Sequence, residues 1–237
     1  MTTNLCGVYE AYSQIVSDCY PEAEASVKIR CAAYLNEYCR KKRITISLAD
    51  EHFFTEYFLK WLPYKVCRED RRVIDSFYTS ADEYVRMADM LSGTSVQEKF
   101  DNLDNGVRYE SVRLLLLKKA VMEYNNSFVI SKLPCIIDFD RYKMKKMNAS
   151  GDYECRSGLF RADSFFTGNS VVLSHINGEE YYIRLFFTER IMHLIEEGDI
   201  FDIKISRNSS GGKWVLDDIN GCRSRWGTTD KWMKVLN

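Results

Sequence analysis

The hydrophobic pattern of the chain changes its period near Asn125, and this change limits the folds that the chain can adopt. From residue 8 to residue 124, apolar side chains recur every three or four positions, which is the period of amphipathic helices. After Asn125, apolar and polar residues alternate, and β-branched and aromatic residues become frequent, as is typical of strands. A chain of 237 residues is long enough for one small domain of each kind.

The first half of the chain predicts five or six helices with short connections, packed as a compact bundle. The most regular apolar spacing lies in 69–91. The segments 47–50 (SLAD) and 95–98 (SVQE) have the pattern of capping boxes, so each predicts the start of a helix. Pro63 predicts the end of the first of these two helices, because residues before proline avoid helical backbone angles.

The second half predicts strands that are separated by turns rich in Gly and Asn. Thr188 and Gly198 are typical of the two ends of one short helix between two strands. About six short strands can close on themselves, which removes exposed edges. The predicted fold class is therefore α+β, with an all-helical domain at 1–127 and a small antiparallel β-barrel with one short helix at 128–237. The strands are predicted at 135–144, 153–162, 170–175, 180–187, 199–206 and 213–219.

The composition excludes several classes of protein. With 46% hydrophobic and 28% charged residues, the chain is neither disordered nor of low complexity. The net charge of -1 gives no overall field that attracts nucleic acid, and no apolar stretch approaches the about 20 residues that a membrane helix needs. The first residues lack the regions of a secretory signal, and the eight cysteines form no CxxC pair. We expect a cytoplasmic protein with buried thiols and no membrane contact.

The sequence lacks the usual motifs for catalysis and cofactor binding. His52, His175 and His193 do not have the paired spacing of zinc sites, and neither of the two common glycine-rich phosphate motifs is present. We therefore expect no metal and no cofactor. Asp138 and Asp140 share one face of a predicted strand, a spacing that suits a divalent cation, so an enzyme with a site between the domains stays an alternative.

Local groups of basic residues are the candidates for a binding site. One group lies at the C-terminal end of a predicted helix, a second opens the next long helix, and a third follows the last strand beside a tryptophan. Several cations on one surface can bind a phosphate backbone, and an exposed aromatic ring can stack on a base. The candidate binding residues are Arg40, Lys41, Lys42, Arg43, Arg68, Arg71, Arg72, Arg223, Arg225 and Trp226.

The run 53–66, with the sequence FFTEYFLKWLPYKV, precedes a long predicted helix that contains Phe77 and Tyr84. Together these segments resemble the helical core-binding (SAM-like) domain of tyrosine recombinases. The resemblance implies a helical clamp that grips duplex DNA through its backbone. The Arg, His-x-x-Arg and Tyr series of the recombinase catalytic domain is not matched, so no strand cleavage is expected. With a β half that ends in KWVLDD at 213–218, the chain also resembles a group of uncharacterised bacterial two-domain proteins that have no assigned activity.

These observations predict a non-enzymatic intracellular binding protein whose partner is nucleic acid. The first alternative is a protein-interaction or scaffold module that forms a homo-oligomer, because 15 Tyr, 13 Phe and 4 Trp exceed the needs of two small cores. The second alternative is the enzyme considered above, with its site near Asp138 and Asp140.

Overall fold

The computed structural model describes residues 5–66, 69–131, 153–176, 181–208 and 212–225. The chain divides into two compact units, Met1–Leu115 and Leu116–Asn237. Both this division and the boundary predicted at residue 127 fall within one helix, Asn105–Ser131. The first unit is helical, and the second contains all the described strands, so the α+β class is confirmed.

Helices make up the first unit and continue into the second. In the described ranges, no helix is long and apolar enough to cross a bilayer. A 3-10 turn at Ile46–Leu48 and a π-helical segment at Tyr57–Trp61 interrupt the series. The helices are α1 (Leu5–Cys19), α2 (Glu22–Lys42), α3 (Glu51–Glu56), α4 (Leu62–Lys65), α5 (Arg71–Ser92), α6 (Val96–Asp101) and α7 (Asn105–Ser131).

The two predicted capping boxes mark helix starts, but their serines do not form the caps. Helix α3 begins after Asp50, whose carboxylate accepts a hydrogen bond of 2.7 Å from the Phe53 N–H. Ser95 makes no side-chain cap, because Asp89 accepts hydrogen bonds from the backbone N–H groups at the start of α6. A charged carboxylate is the stronger acceptor for these unpaired N–H groups.

The prediction that Pro63 ends a helix is wrong. The chain passes from α3 through the π-helical segment directly into α4, which contains Pro63 in its first turn. Proline has no N–H to donate and its ring crowds the preceding turn, so it ends or kinks an ordinary helix. The π turn before Pro63 is wider and has a different hydrogen-bond pattern, and the helical path continues to Lys65.

Aromatic side chains fill the core of the helical unit. Phe54 packs edge to face on Phe100 with ring centres 5.0 Å apart, and Phe58 stacks on Tyr78 at 5.3 Å. This packing uses much of the aromatic content that suggested a homo-oligomer. The fully buried aromatic residues of this unit include Tyr12, Tyr38, Tyr57, Tyr84, Phe54, Phe58 and Phe100.

The second unit contains one antiparallel sheet with the strand order β3-β2-β1-β4-β5. A short helix, α8 (Glu189–Met192), lies between β3 and β4 as predicted. The strand predicted at 135–144 lies outside the described residues. The described strands are β1 (Tyr153–Phe166), β2 (Ser170–His175), β3 (Tyr182–Phe186), β4 (Ile200–Asn208) and β5 (Val215–Arg223).

The prediction of a closed β-barrel is wrong, because the sheet stays open. Among the described residues, β3 and β5 have no hydrogen-bonded pairing, although the Tyr181 and Trp214 rings beside them meet edge to face at 5.8 Å. Alternation identifies strands and their faces, whereas closure depends on strand tilt and stagger. With five residues, β3 also offers few positions for a further ladder.

The concave face of the sheet is packed with apolar side chains. It leaves a gap of about 10 Å³, which is no larger than a water molecule needs. A ligand of this unit must therefore bind elsewhere than in this gap. The gap is lined by Val121 of α7 and by Leu173, Leu185, Phe187, Phe201, Ile203, Leu216 and Ile219.

Candidate functional site

The first predicted basic group lies at the end of α2. Arg40, Lys41, Lys42 and Arg43 are all exposed there. The Lys42 ammonium pairs with the Glu56 carboxylate at 2.7 Å, and cations also favour the negative end of the helix dipole. At least one member of this group therefore serves the helical fold itself.

The second basic group, at the start of α5, does not meet the first. Arg71 and Arg72 are exposed, and Arg71 pairs with Asp75 at 2.7 Å. Arg30 of α2 pairs at 3.1 Å with Glu69, which lies just before α5, whereas Arg40 is ten residues further along α2. At 1.5 Å per residue, Arg40 therefore lies about 15 Å along α2 from the contact beside Arg71. Arg68 lies outside the described residues.

The third basic group is only partly described. Arg223 is half-buried at the end of β5. Arg225 is exposed, and its side chain packs so closely on Gly198 that a Cβ there would lie 3.0 Å from the Arg225 Cβ. The prediction that Gly198 ends the short helix is wrong, because α8 ends at Met192 and Gly198 lies in the turn before β4, with a φ of +89°. Trp226 lies outside the described residues.

Metal clusters and cysteine thiolates are two arrangements that support catalysis. Within the described ranges, no cluster of three His, Cys, Asp or Glu side chains could hold a metal ion. Asp138 and Asp140 lie outside these ranges. Burial raises the pKa of both the Cys31 and Cys39 thiols to about 12, so neither supplies a thiolate nucleophile near neutral pH. Cys19 and Cys155 are exposed, contrary to the prediction that the thiols are buried.

A different surface, on the outer side of β1, β2 and β3, combines aromatic and cationic groups. In β3, Ile183 and Leu185 point inwards with 2% exposure each, while Tyr182 on the opposite side is 62% exposed. Arg184 and Phe186 share the side of Tyr182, because alternate residues of a strand face the same way. Two aromatic rings and the guanidinium between them therefore lie in a row along one short strand.

Phe166 joins this surface from β1 because of a bulge. The pairing of β1 with β2 shifts by one residue between Ala162 and Ser164, so that the extra residue reverses the faces beyond it. Phe166 then pairs with Ser170, which in turn pairs with Phe186 of β3. The Phe166 ring, which is 50% exposed, lies beside Arg184 on the outer side.

Arg184 is held at the centre of this surface. Its Nε donates a hydrogen bond of 2.9 Å to the hydroxyl of the buried Ser170. Its guanidinium carbon lies 5.0 Å from the centre of the Phe166 ring and 5.3 Å from that of Phe186. The Nζ of Lys213, before β5, lies 4.7 Å from the Phe186 ring centre. Throughout the described ranges, no carboxylate lies within ion-pair distance of Arg184 or Lys213.

We call this surface the aromatic face. Its residues are Phe166, Ser170, Tyr182, Arg184, Phe186 and Lys213. None of them is among the binding residues predicted from the sequence, where clusters of neighbouring cations were the criterion. The alternation of Tyr182, Arg184 and Phe186 was visible in the sequence, but Phe166 falls beyond the strand predicted at 153–162.

A separate network of charges and rings joins β1 and β4 at the start of β5. The Glu154 carboxylate pairs with Arg156 and with Arg207, each at 2.6 Å. The Arg156 guanidinium carbon lies 3.7 Å from the centre of the Tyr181 ring, and that of Arg207 lies 4.5 Å from Trp214. Because one carboxylate pairs with cations from two strands, this network is suited to holding the strands together, and it keeps one net positive charge.

The network predicts a pH-dependent stability. Hydrogen bonds from Arg207 and Arg156 lower the pKa of Glu154, so its contribution is present above its pKa in the unfolded chain and is lost as the pH falls through the folded value. Between about pH 7 and about pH 3, we expect Glu154→Gln to lose less stability than the wild type. Urea denaturation followed by tryptophan fluorescence measures this, with exposed Glu197→Gln as the control. Parallel curves for the wild type and Glu154→Gln would contradict the prediction.

No protein-family model matches the chain, and no curated protein and no solved structure is significantly similar to it.

Proposed function

We propose that this chain binds single-stranded nucleic acid through the aromatic face, without catalysing a reaction. The observation that carries the proposal is the placement of the exposed rings of Tyr182 and Phe166 around an Arg184 that has no carboxylate partner among the described residues. Exposed rings on a strand stack on bases, and nearby cations attract the phosphate backbone.

The arrangement of strands supports this proposal. A curled five-stranded sheet in which β1 pairs with both β2 and β4, with a helix between β3 and β4, resembles the OB-fold. Partly open barrels of that type bind oligonucleotides or oligosaccharides on the face of their second and third strands. Four of the six residues of the aromatic face lie on these two strands, and its two cations favour the polyanion over an uncharged sugar.

The distribution of charge also favours the second unit as the binding unit. From residue 116 onwards the chain has 18 Lys and Arg against 16 Asp and Glu, whereas before it the numbers are 15 and 18. A duplex would offer no free base faces to the rings and would require more cations than the aromatic face provides. Single strands therefore fit this surface better than duplexes.

The test is a titration of labelled oligonucleotides of about 12 residues, single-stranded and duplex, followed by fluorescence anisotropy. We expect single strands to bind more tightly than duplexes, and binding to weaken from about 50 mM to about 200 mM salt. Lys213→Ala removes about one phosphate contact. Over this range of salt, its affinity should therefore fall by a factor that is about 2.5 times smaller than that of the wild type. Lys204→Ala, an exposed lysine on β4, is the control and keeps the wild-type salt effect.

Two results would contradict the proposed function. Binding that is absent for every oligonucleotide would exclude it, and so would tight binding with no dependence on salt. A salt effect that drops equally in Lys213→Ala and Lys204→Ala would show that the contact is not made at the aromatic face.

Protein interaction through the helical unit is the second candidate function. Leu48 and Met90 are 70% and 82% exposed, and Leu91 next to Met90 is 51% exposed. Exposed aliphatic side chains of this size favour a protein partner or a second copy of the chain. A strictly monomeric chain in light scattering at high concentration would contradict the homo-oligomer.

A further inference from the structure

The position of Arg184 indicates which part of a nucleic acid it contacts, if the proposed function holds. The Ser170 hydroxyl engages its Nε, and the rings of Phe166 and Phe186 lie about equally far from its guanidinium carbon. Nη1 and Nη2 are therefore the donors that remain for a ligand. These two nitrogens form a planar fork that matches two acceptors side by side.

Three acceptor pairs of a single strand fit such a fork, namely two phosphate oxygens, the O6 and N7 atoms of guanine, and the N3 and O2 atoms of cytosine. The guanidinium of Arg184 lies beside two rings of the aromatic face, 5.0 Å from the centre of Phe166 and 5.3 Å from that of Phe186. Lys213, a compact charge on a flexible stem, lies at the loop before β5 and suits the phosphate instead. A base that stacks on Tyr182 or Phe166 brings its edge, and not its phosphate, towards Arg184.

We propose that Arg184 recognises a guanine base by a bidentate contact to O6 and N7, so that the chain prefers guanine-containing single strands. Adenine offers an amino group in place of O6, which repels one arm of the fork, and thymine offers no matching pair. Cytosine offers N3 and O2, but its single ring stacks less strongly on Tyr182 or Phe166 than the double ring of guanine does. This inference rests on the proposed function and adds base specificity to it. Ser170 acts as a positioning residue, because it orients the guanidinium without touching the base.

The experiment uses the full chain and T-rich oligonucleotides with isolated guanines, which are compared with the same oligonucleotides carrying adenine, cytosine or only thymine. We expect guanine to increase affinity by about 5- to 150-fold over thymine. Inosine retains O6 and N7 and should keep this preference, whereas 7-deazaguanine lacks N7 and should lose most of it. Arg184→Lys keeps the charge without the fork and should bring the affinities for guanine and thymine together.

The variants are compared by the ratio of the two affinities, after circular dichroism has shown that each variant is folded. Ser170→Ala should lower the ratio while retaining Arg184, and Arg190→Lys, on the exposed side of α8, should leave it unchanged. Equal affinity of the wild type for guanine, adenine and thymine strands, or equal affinity for guanine strands and matched cytosine strands, would overturn the guanine contact and leave the proposed function standing. A guanine preference that persists in Arg184→Lys would also overturn it. A chain that binds no oligonucleotide would overturn both proposals.

Discussion

Replacing Arg113 by methionine is expected to lower the free energy of unfolding of the helical unit by about 3–5 kcal/mol. Arg113 and Glu110 of α7 are 4% and 5% exposed. The guanidinium donates two hydrogen bonds to the carboxylate, from Nε at 2.8 Å and from Nη2 at 2.5 Å. The variant takes this cation and both of these hydrogen bonds away from a carboxylate that stays buried, and this accounts for the size of the loss.

Two further variants distinguish the stability lost by breaking a buried ion pair from that lost by breaking an exposed one. Replacing both Glu110 and Arg113 by methionine removes the buried carboxylate as well, so we expect most of the lost stability to return. Arg86→Met breaks an exposed pair with Asp82 and should cost less than about 1 kcal/mol. The measurement is urea denaturation followed by the helical circular dichroism signal. A loss below about 1 kcal/mol for Arg113→Met, as expected for an exposed pair, would contradict this prediction.

The secondary structure could be predicted from the sequence wherever local signals determine it. The sequence predicts a strand at 170–175, and the structure has the same bounds, because Gly168 and Asn169 with positive φ form the turn before it. The regular apolar spacing at 69–91 likewise corresponds to α5. In both elements, the spacing of apolar residues within the element itself determines which side is buried.

Contacts between distant residues could not be predicted in the same way. Nothing around Ser95 shows that Asp89, on the preceding helix, supplies the acceptor for the N–H groups of Val96 and Gln97. The buried pair in α7 is similar, because Glu110 and Arg113 have the spacing of an ordinary surface pair in a helix. Burial of such a pair depends on the elements that surround it, which the sequence does not reveal.

The candidate site was missed for a related reason. Runs of cations in the sequence indicate high local charge, but the structure places Arg40 and Arg71 far apart and pairs Arg71 with Asp75. The aromatic face depends instead on a sheet that brings β1, β2 and β3 together and on a single bulge in β1 that turns Phe166 outwards. A bulge adds one residue without a clear sequence signal, and strand order is not local.

Replacing the exposed rings of the aromatic face by alanine is expected to change the binding affinity more than any other substitution. Tyr182→Ala and Phe166→Ala should each weaken the binding of a single-stranded oligonucleotide by about 5- to 150-fold, because each ring that stacks on a base contributes about 1–3 kcal/mol. Their double variant should lose about as much as the two single losses combined, provided that each ring stacks on its own base.

Tyr109→Ala is the matched control for the ring variants, because Tyr109 is 69% exposed but lies on the helical unit, where stacking is not expected. The measurement is fluorescence anisotropy with one oligonucleotide at one salt concentration, since affinities at different ionic strengths cannot be compared. The substituted rings are both well exposed, so the folded state should tolerate their loss and any weakening reports on binding. If Tyr182→Ala and Phe166→Ala bind as tightly as Tyr109→Ala, stacking on the aromatic face is excluded, and the cations alone would have to explain any affinity.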